Sequence, residues 1–109
     1  MEKFKNIFRG QERAHGCYKR EGSINDKGKL EGKSIIVRKP PTDELWEQHL
    51  SGERSLGIIP ITDDNTCQWG CIDIDQYPLD HKKIVSKIRA EDFPLIVCRS
   101  KSGGAHIFC

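Results

Sequence analysis

The stretch Cys71-Ile72-Asp73-Ile74-Asp75-Gln76-Tyr77 constrains this chain more than any other. Its apolar residues and their spacing read as a β-strand. Side chains alternate along a strand, so Asp73 and Asp75 share one face while Ile72 and Ile74 share the other. Two like charges side by side repel and lose hydration unless a cation or a proton sits between them. Folding alone does not account for the pair, which marks a place where chemistry is to be expected.

Length and composition fix the scale. A chain of 109 residues, 36% hydrophobic and 31% charged, holds one modest core, and we expect a single domain over residues 1–109. Apolar runs such as Leu95–Cys98 are too short to span a bilayer, and the basic start MEKFKNIFRG lacks the apolar centre of a signal peptide. These features lead us to expect a cytoplasmic protein with no membrane partner. Five cysteines without an export signal point to reduced thiols rather than a disulfide framework.

The net charge of +2 conceals a segregation. Residues 1–40 carry 11 Lys/Arg against 5 Asp/Glu, residues 41–81 carry 1 against 9, and residues 82–109 carry 6 against 2. Basic flanks around an acidic centre suit a polyanion approaching a metal site, although solvated faces alone would also give this pattern.

Residues 1–34 are polar and dotted with glycine, and they read as a turn-rich connection without firm structure. His15 and Tyr18 then fall in an ordinary surface turn. SIIVR (34–38) reads as a strand, ended by Pro40-Pro41. Thr42 can cap the following helix, DELWEQHLSG, in which His49 is a packed face residue rather than a ligand. Leu56–Ile61 and Thr66–Asp75 flank the turn-forming TDDN and predict a β-hairpin. An amphipathic helix follows over PLDHKKIVSKIRAED, then the strand FPLIVCR and a strand beginning AHIFC.

From Asp73 onward the order is strand, helix, strand, strand. The predicted fold class is α+β, an incomplete RNA-recognition-like (ferredoxin-like) β-α-β-β unit. Residues 1–54 form an N-terminal α/β extension, and residues 55–109 carry the motif-bearing sheet. In such a sheet the first strand pairs antiparallel with the third, so the loop Arg99-Ser100-Lys101-Ser102-Gly103-Gly104 would reach the acidic pair. Paired glycines can turn backbone N–H groups toward an anion, and Ser, Lys, Arg and His106 add donors. A basic hairpin turn, with glycine serving only positive φ, is the stronger reading of the loop taken alone.

CIDID, followed by a helix, a strand and SKSGGAHIF, resembles the archaeo-eukaryotic primase superfamily, and within it the primase-polymerases of phages, mobile elements and conflict systems. Its first motif is an apolar strand with Asp-x-Asp or Asp-x-Glu. Its second is a small residue, any residue, then His, here Gly104-Ala105-His106. The resemblance covers residues 55–109 with specific motifs and residues 1–54 loosely. It implies a DNA primase or polymerase performing template-directed nucleotidyl transfer with Mg2+ or Mn2+. Asp73 and Asp75 would bind the metals, and Asp73, Asp75 and His106 would be catalytic. Arg99, Lys101, Ser102, Gly103, Gly104 and His106 would hold the nucleotide, Arg99 and Lys101 more weakly. The implied partners are template and primer DNA, nucleoside triphosphates, and a helicase domain or subunit of the parent system.

Two departures stand out. The family's third motif, a carboxylate on a later strand, does not occur before Cys109, which reads as the mark of a segment of a larger enzyme. Gly104 also occupies a position where many members carry Ser, and Ser102 could compensate. The absent carboxylate favours an alternative, a non-catalytic nucleic-acid-binding or inhibitory module on the same fold. A second alternative is structural zinc on Cys67, Cys71, Cys98, His106 and Cys109, but Cys67 and Cys71 lie too far apart along an extended strand to share an ion without a bulge. Small apolar cysteines in strands are usually core. Trp69 reads as packing rather than as a base-stacking platform.

Overall fold

The computed structural model describes residues 1–26, 28 and 30–109. It has an α+β architecture with two small antiparallel sheets. The chain divides into two compact units, Met1–Gln68 and Trp69–Cys109. No helix among the described residues is long and apolar enough to cross a membrane.

The first unit opens with helix α1 (Glu2–Ile7) and a two-stranded ribbon of β1 (His15–Ile24) and β2 (Leu30–Val37), paired antiparallel from His15 opposite Val37 to Arg20 opposite Gly32. The expectation of an unstructured connection over residues 1–34 is corrected here. The ribbon escapes a hydrophobicity reading because its inward residues are few and one is polar: Cys17 and His15 are buried, while Lys19 and Arg20 face solvent. His15 is therefore not a surface-turn residue. In its Nδ1–H tautomer it donates to the Lys39 carbonyl at 2.8 Å, which satisfies a polar group that would otherwise be costly to bury. Tyr18 lies across the ribbon so closely that a Cβ on Gly32 would meet its ring at 2.2 Å.

Helix α2 (Asp43–Leu50) begins where the sequence places it. The Thr42 hydroxyl accepts from the Leu45 amide at 3.3 Å, and Asp43 and Glu44 lie in the first turn, where carboxylates complement the helix dipole. The helix buries Trp46, 3% exposed, edge-on to Phe4 with ring centres 6.1 Å apart. Truncating a buried Trp to Ala typically costs about 3–5 kcal/mol, so this contact is a main anchor of the unit. His49 packs its ring near Phe4, as expected of a face residue.

The hairpin predicted from residues 56–61 and 66–75 does not form. Leu56–Ile61 makes only isolated bridges, Gly16 to Gly57 and Ile61 to Cys67. Pro60 has no N–H for a ladder, and Gly57 spends its amide and carbonyl on Gly16, at 2.8 and 2.7 Å. TDDN does form a tight turn. The Thr62 amide donates to the Thr66 carbonyl, Asn65 takes a positive φ, and the Asp64 carboxylate accepts from the Thr66 amide and hydroxyl.

In the second unit, β3 (Cys71–Ile74), helix α3 (His81–Ala90), β4 (Ile96–Arg99) and β5 (Ala105–Phe108) follow the predicted order. Asp80 caps α3, accepting from the Lys83 amide at 3.2 Å. The sheet order is β3-β5-β4, with both pairings antiparallel, so the Asp73 strand lies against the His106 strand as the sequence led us to expect. The central strand alternates: Ala105 and Ile107 are buried, while His106 and Phe108 turn to the opposite, half-exposed face. Ile107 sits between Ile72 and Val97, and α3 packs against β4.

Candidate functional site

The site is built on the second unit. Register places Asp73 directly opposite His106, and opposed residues in a ladder share a face. Asp73 Oδ1 lies 3.5 Å from His106 Nε2, an ion pair when the imidazole is protonated. Both side chains reach solvent, with 57% and 43% of their surfaces exposed. Phe108 stands one alternation further along, its ring 6.1 Å from His106 and 5.9 Å from Trp69, edge-on to both. Trp69 is thus engaged in packing, as its sequence context suggested.

Asp75 follows the end of β3. Its Oδ1 accepts from the Tyr77 hydroxyl at 3.2 Å. Partial loss of hydration, the Asp75 charge and the bond to it, and the Asp73 charge together hold the Tyr77 hydroxyl above its usual range. Tyr77 is therefore bonded to Asp75 and feels the charge of Asp73. Sequence reasoning passed over it. The signal was a hydroxyl two residues beyond a carboxylate, but nothing in the sequence said that the chain would curl back there.

The loop closes tightly. The Ser100 amide donates to the Gly104 carbonyl at 2.9 Å, and the Gly103 amide donates to the Ser100 carbonyl at 3.1 Å. Gly103 has φ of +91°, a conformation that glycine adopts without strain. Its N–H is spent inside the turn, so any anion held here would depend more on side chains than on that amide. Gly104 lies against β3 so closely that a Cβ would fall 2.2 Å from the Ile74 carbonyl oxygen, between Asp73 and Asp75 in the chain. Glycine at 104 fits this approach because it carries no Cβ. His81, the first residue of α3, adds a second tie that sequence reasoning missed: its Nε2–H tautomer donates to the Gly104 carbonyl at 2.8 Å.

The residues singled out from sequence are not all gathered. Asp73 and His106 face each other across β3 and β5, Asp75 lies just beyond β3 bonded to Tyr77, and Ser102, Gly103 and Gly104 belong to the turn that precedes β5. Lys101 is exposed on the turn. Arg99 stands opposite Ala105, which puts it on the face of the buried Ala105 rather than on that of His106.

Metal fit can be judged from the donors. Asp73 and Asp75 are exposed oxygen donors two residues apart in the chain, a donor type that suits a hard divalent cation that keeps waters and takes phosphate oxygens as further ligands. Among the described residues no three His, Cys, Asp or Glu side chains converge on one point, so the protein supplies at most a partial cage. Within the second unit, Cys71, Cys98, His106 and Cys109 form no such group, which speaks against structural zinc there. Partial burial and then the Asp73 charge push the Cys71 thiol up, away from the thiolate that zinc requires.

The family model for the archaeo-eukaryotic primase domain of the TOTE conflict system matches residues 1–109. Searches of curated proteins and of solved structures gave no match.

Proposed function

This chain belongs to the archaeo-eukaryotic primase domain family of the TOTE conflict system, and from that membership we propose a nucleotidyltransferase module that joins nucleotides on a DNA template. The observation that carries the proposal is the pairing of Asp73 with His106 across β3 and β5, with the Ser100–Gly104 turn closing beside it. The β3-β5-β4 order and the β-α-β-β sequence of elements support reading the second unit as part of an RNA-recognition-like sheet whose open face bears the chemistry.

Within this reading Asp73 and Asp75 would hold Mg2+ or Mn2+, which would supply neutralisation of phosphate charge and activation of the attacking 3′-hydroxyl. His106 stands on the same face and donates to a phosphate oxygen when a triphosphate approaches, exchanging its contact with Asp73 for one to the anion. Ser102 offers a hydroxyl from the turn and Lys101 a mobile positive charge. Arg99, on the other face, is the weakest member of the set. Template and primer DNA are the partners of this chemistry, and basic residues in 1–40 and 82–109 are suited to sequence-independent phosphate contacts.

Primer extension tests the proposal. The protein should add nucleotides to a primed DNA template with Mn2+ or Mg2+, and Asp73→Asn should reduce the rate by at least about a hundredfold. Extension that Asp73→Asn leaves unchanged would remove this site from the reaction.

A further inference from the structure

The β1–β2 ribbon of the first unit carries a charge arrangement that its own fold does not require. His15, Cys17 and Lys19 lie on one face of β1, and register sets them opposite Val37, Ile35 and Lys33 of β2. The first two rungs are packed, with His15 and Cys17 buried. Packing stops at the third, where Lys19 and Lys33 are both exposed. Opposed side chains in such a ladder stand about 4.5–5.5 Å apart at Cβ, and like charges placed there repel. Among the described residues neither ammonium group has an ion-pair partner. Glu31, two residues from Lys33 on the same strand, accepts instead from the Ser23 hydroxyl at 3.1 Å.

We infer that the Lys19–Lys33 rung is a phosphate-binding contact for single-stranded DNA, carried by the first unit alone. Two ammonium groups held a rung apart can share a phosphate, and the anion between them turns their repulsion into attraction. The backbone ladder sets the spacing of the pair before the ligand arrives, so binding has only the side-chain rotamers left to order. An ammonium group is a compact point charge with freely rotating donors, which suits a phosphate and reads no base, so the contact adds affinity without sequence preference. The anion site follows from the charges themselves. Its occupant rests on the functional reading above, in which the template awaiting copying is a single strand.

Salt dependence tests the contact. Fluorescence anisotropy of a labelled single-stranded oligonucleotide, titrated with the protein between about 50 and 200 mM salt, reads the number of phosphates neutralised, since each adds about 0.7 to the slope of log affinity against log salt. Lys19→Gln combined with Lys33→Gln should lower that slope by about 1.4 and weaken binding about 25-fold at about 0.1 M salt. The thermal midpoint should not fall, because the change removes a repulsion and no packing. Lys19→Arg combined with Lys33→Arg keeps both charges and should keep the slope of the parent. Lysines that only solvate the ribbon would leave the slope unchanged in the glutamine variant. That result, or failure of the parent to bind the oligonucleotide, would overturn the inference. Primer extension separates it from the functional reading: extension indifferent to Asp73→Asn, with the slope still lowered in the glutamine variant, would remove that reading and leave the ribbon contact standing.

Discussion

The carbonyl oxygen of Ile74 lies 2.2 Å from the point where a Cβ on Gly104 would stand, so the turn and the acidic strand meet backbone to backbone. Contact this close admits no side chain without movement of one or the other. His81 ties the same glycine through its carbonyl. Together these contacts set the position of Ala105 and His106, and through the β3–β5 register the approach of His106 to Asp73.

Gly104→Ala should accordingly lower the stability of the second unit by about 1–3 kcal/mol, the usual range for overpacking a tight site. It should also displace His106. Thermal unfolding of the parent and the variant checks the first effect. The second appears as weaker triphosphate binding than His81→Ala produces, since that change removes one hydrogen bond worth about 1 kcal/mol and inserts nothing.

Removal of metal distinguishes a catalytic cation from a structural one. Because the five cysteines are free and no group of His, Cys, Asp or Glu suited to a metal ion occurs among the described residues, we expect a chelator such as EDTA to leave the thermal midpoint unchanged. Four of the thiols are exposed and Cys17 is buried, so a thiol reagent should modify four quickly and Cys17 only as the first unit opens. A fall in midpoint on chelation would restore the zinc alternative.

Acid should loosen the first unit in a definable way. Hydrogen bonds from Thr62 and Thr66 hold the Asp64 carboxyl below its ordinary value of 3.8, and bonds from Gln11 and then Arg13 do the same for Asp63. A depressed folded-state pKa contributes stability that is present above 3.8 and is lost as pH falls through the folded value. Both groups are exposed, so the effect is modest and screened by salt. Unfolding midpoints measured between pH 5 and about 2 should fall less steeply for Asp64→Asn than for the parent.

How far the sequence carried these conclusions depended on how local the signals were. The helices at Asp43 and His81 were legible because each has a capping side chain and an apolar stripe within one segment. The Asp73–His106 pairing was legible because the order of elements fixes which strands meet. The β1–β2 ribbon was not, because its buried face holds only a few residues, one of them the histidine bonded to Lys39. Leu56–Ile61 misled by apolarity: Pro60 and the Gly57–Gly16 exchange consume the backbone groups that a hairpin would need. Tyr77 and His81 entered the site through side chains folding back across the chain, and residue type alone carries no signal for that. Arg99 fell on the wrong face because a basic residue next to a loop can lie on either side of its strand.

The most direct measurement is the affinity of the chain for a nucleoside triphosphate with Mn2+ present, compared among the parent, Asp73→Asn and His106→Ala. If β3 and β5 carry the site, both variants should weaken binding at least about tenfold, the equivalent of about 1.4 kcal/mol, with thermal midpoints close to that of the parent. Parent-like affinity in both folded variants would contradict the account, because no nucleotide held between Asp73 and His106 could be indifferent to losing each of them.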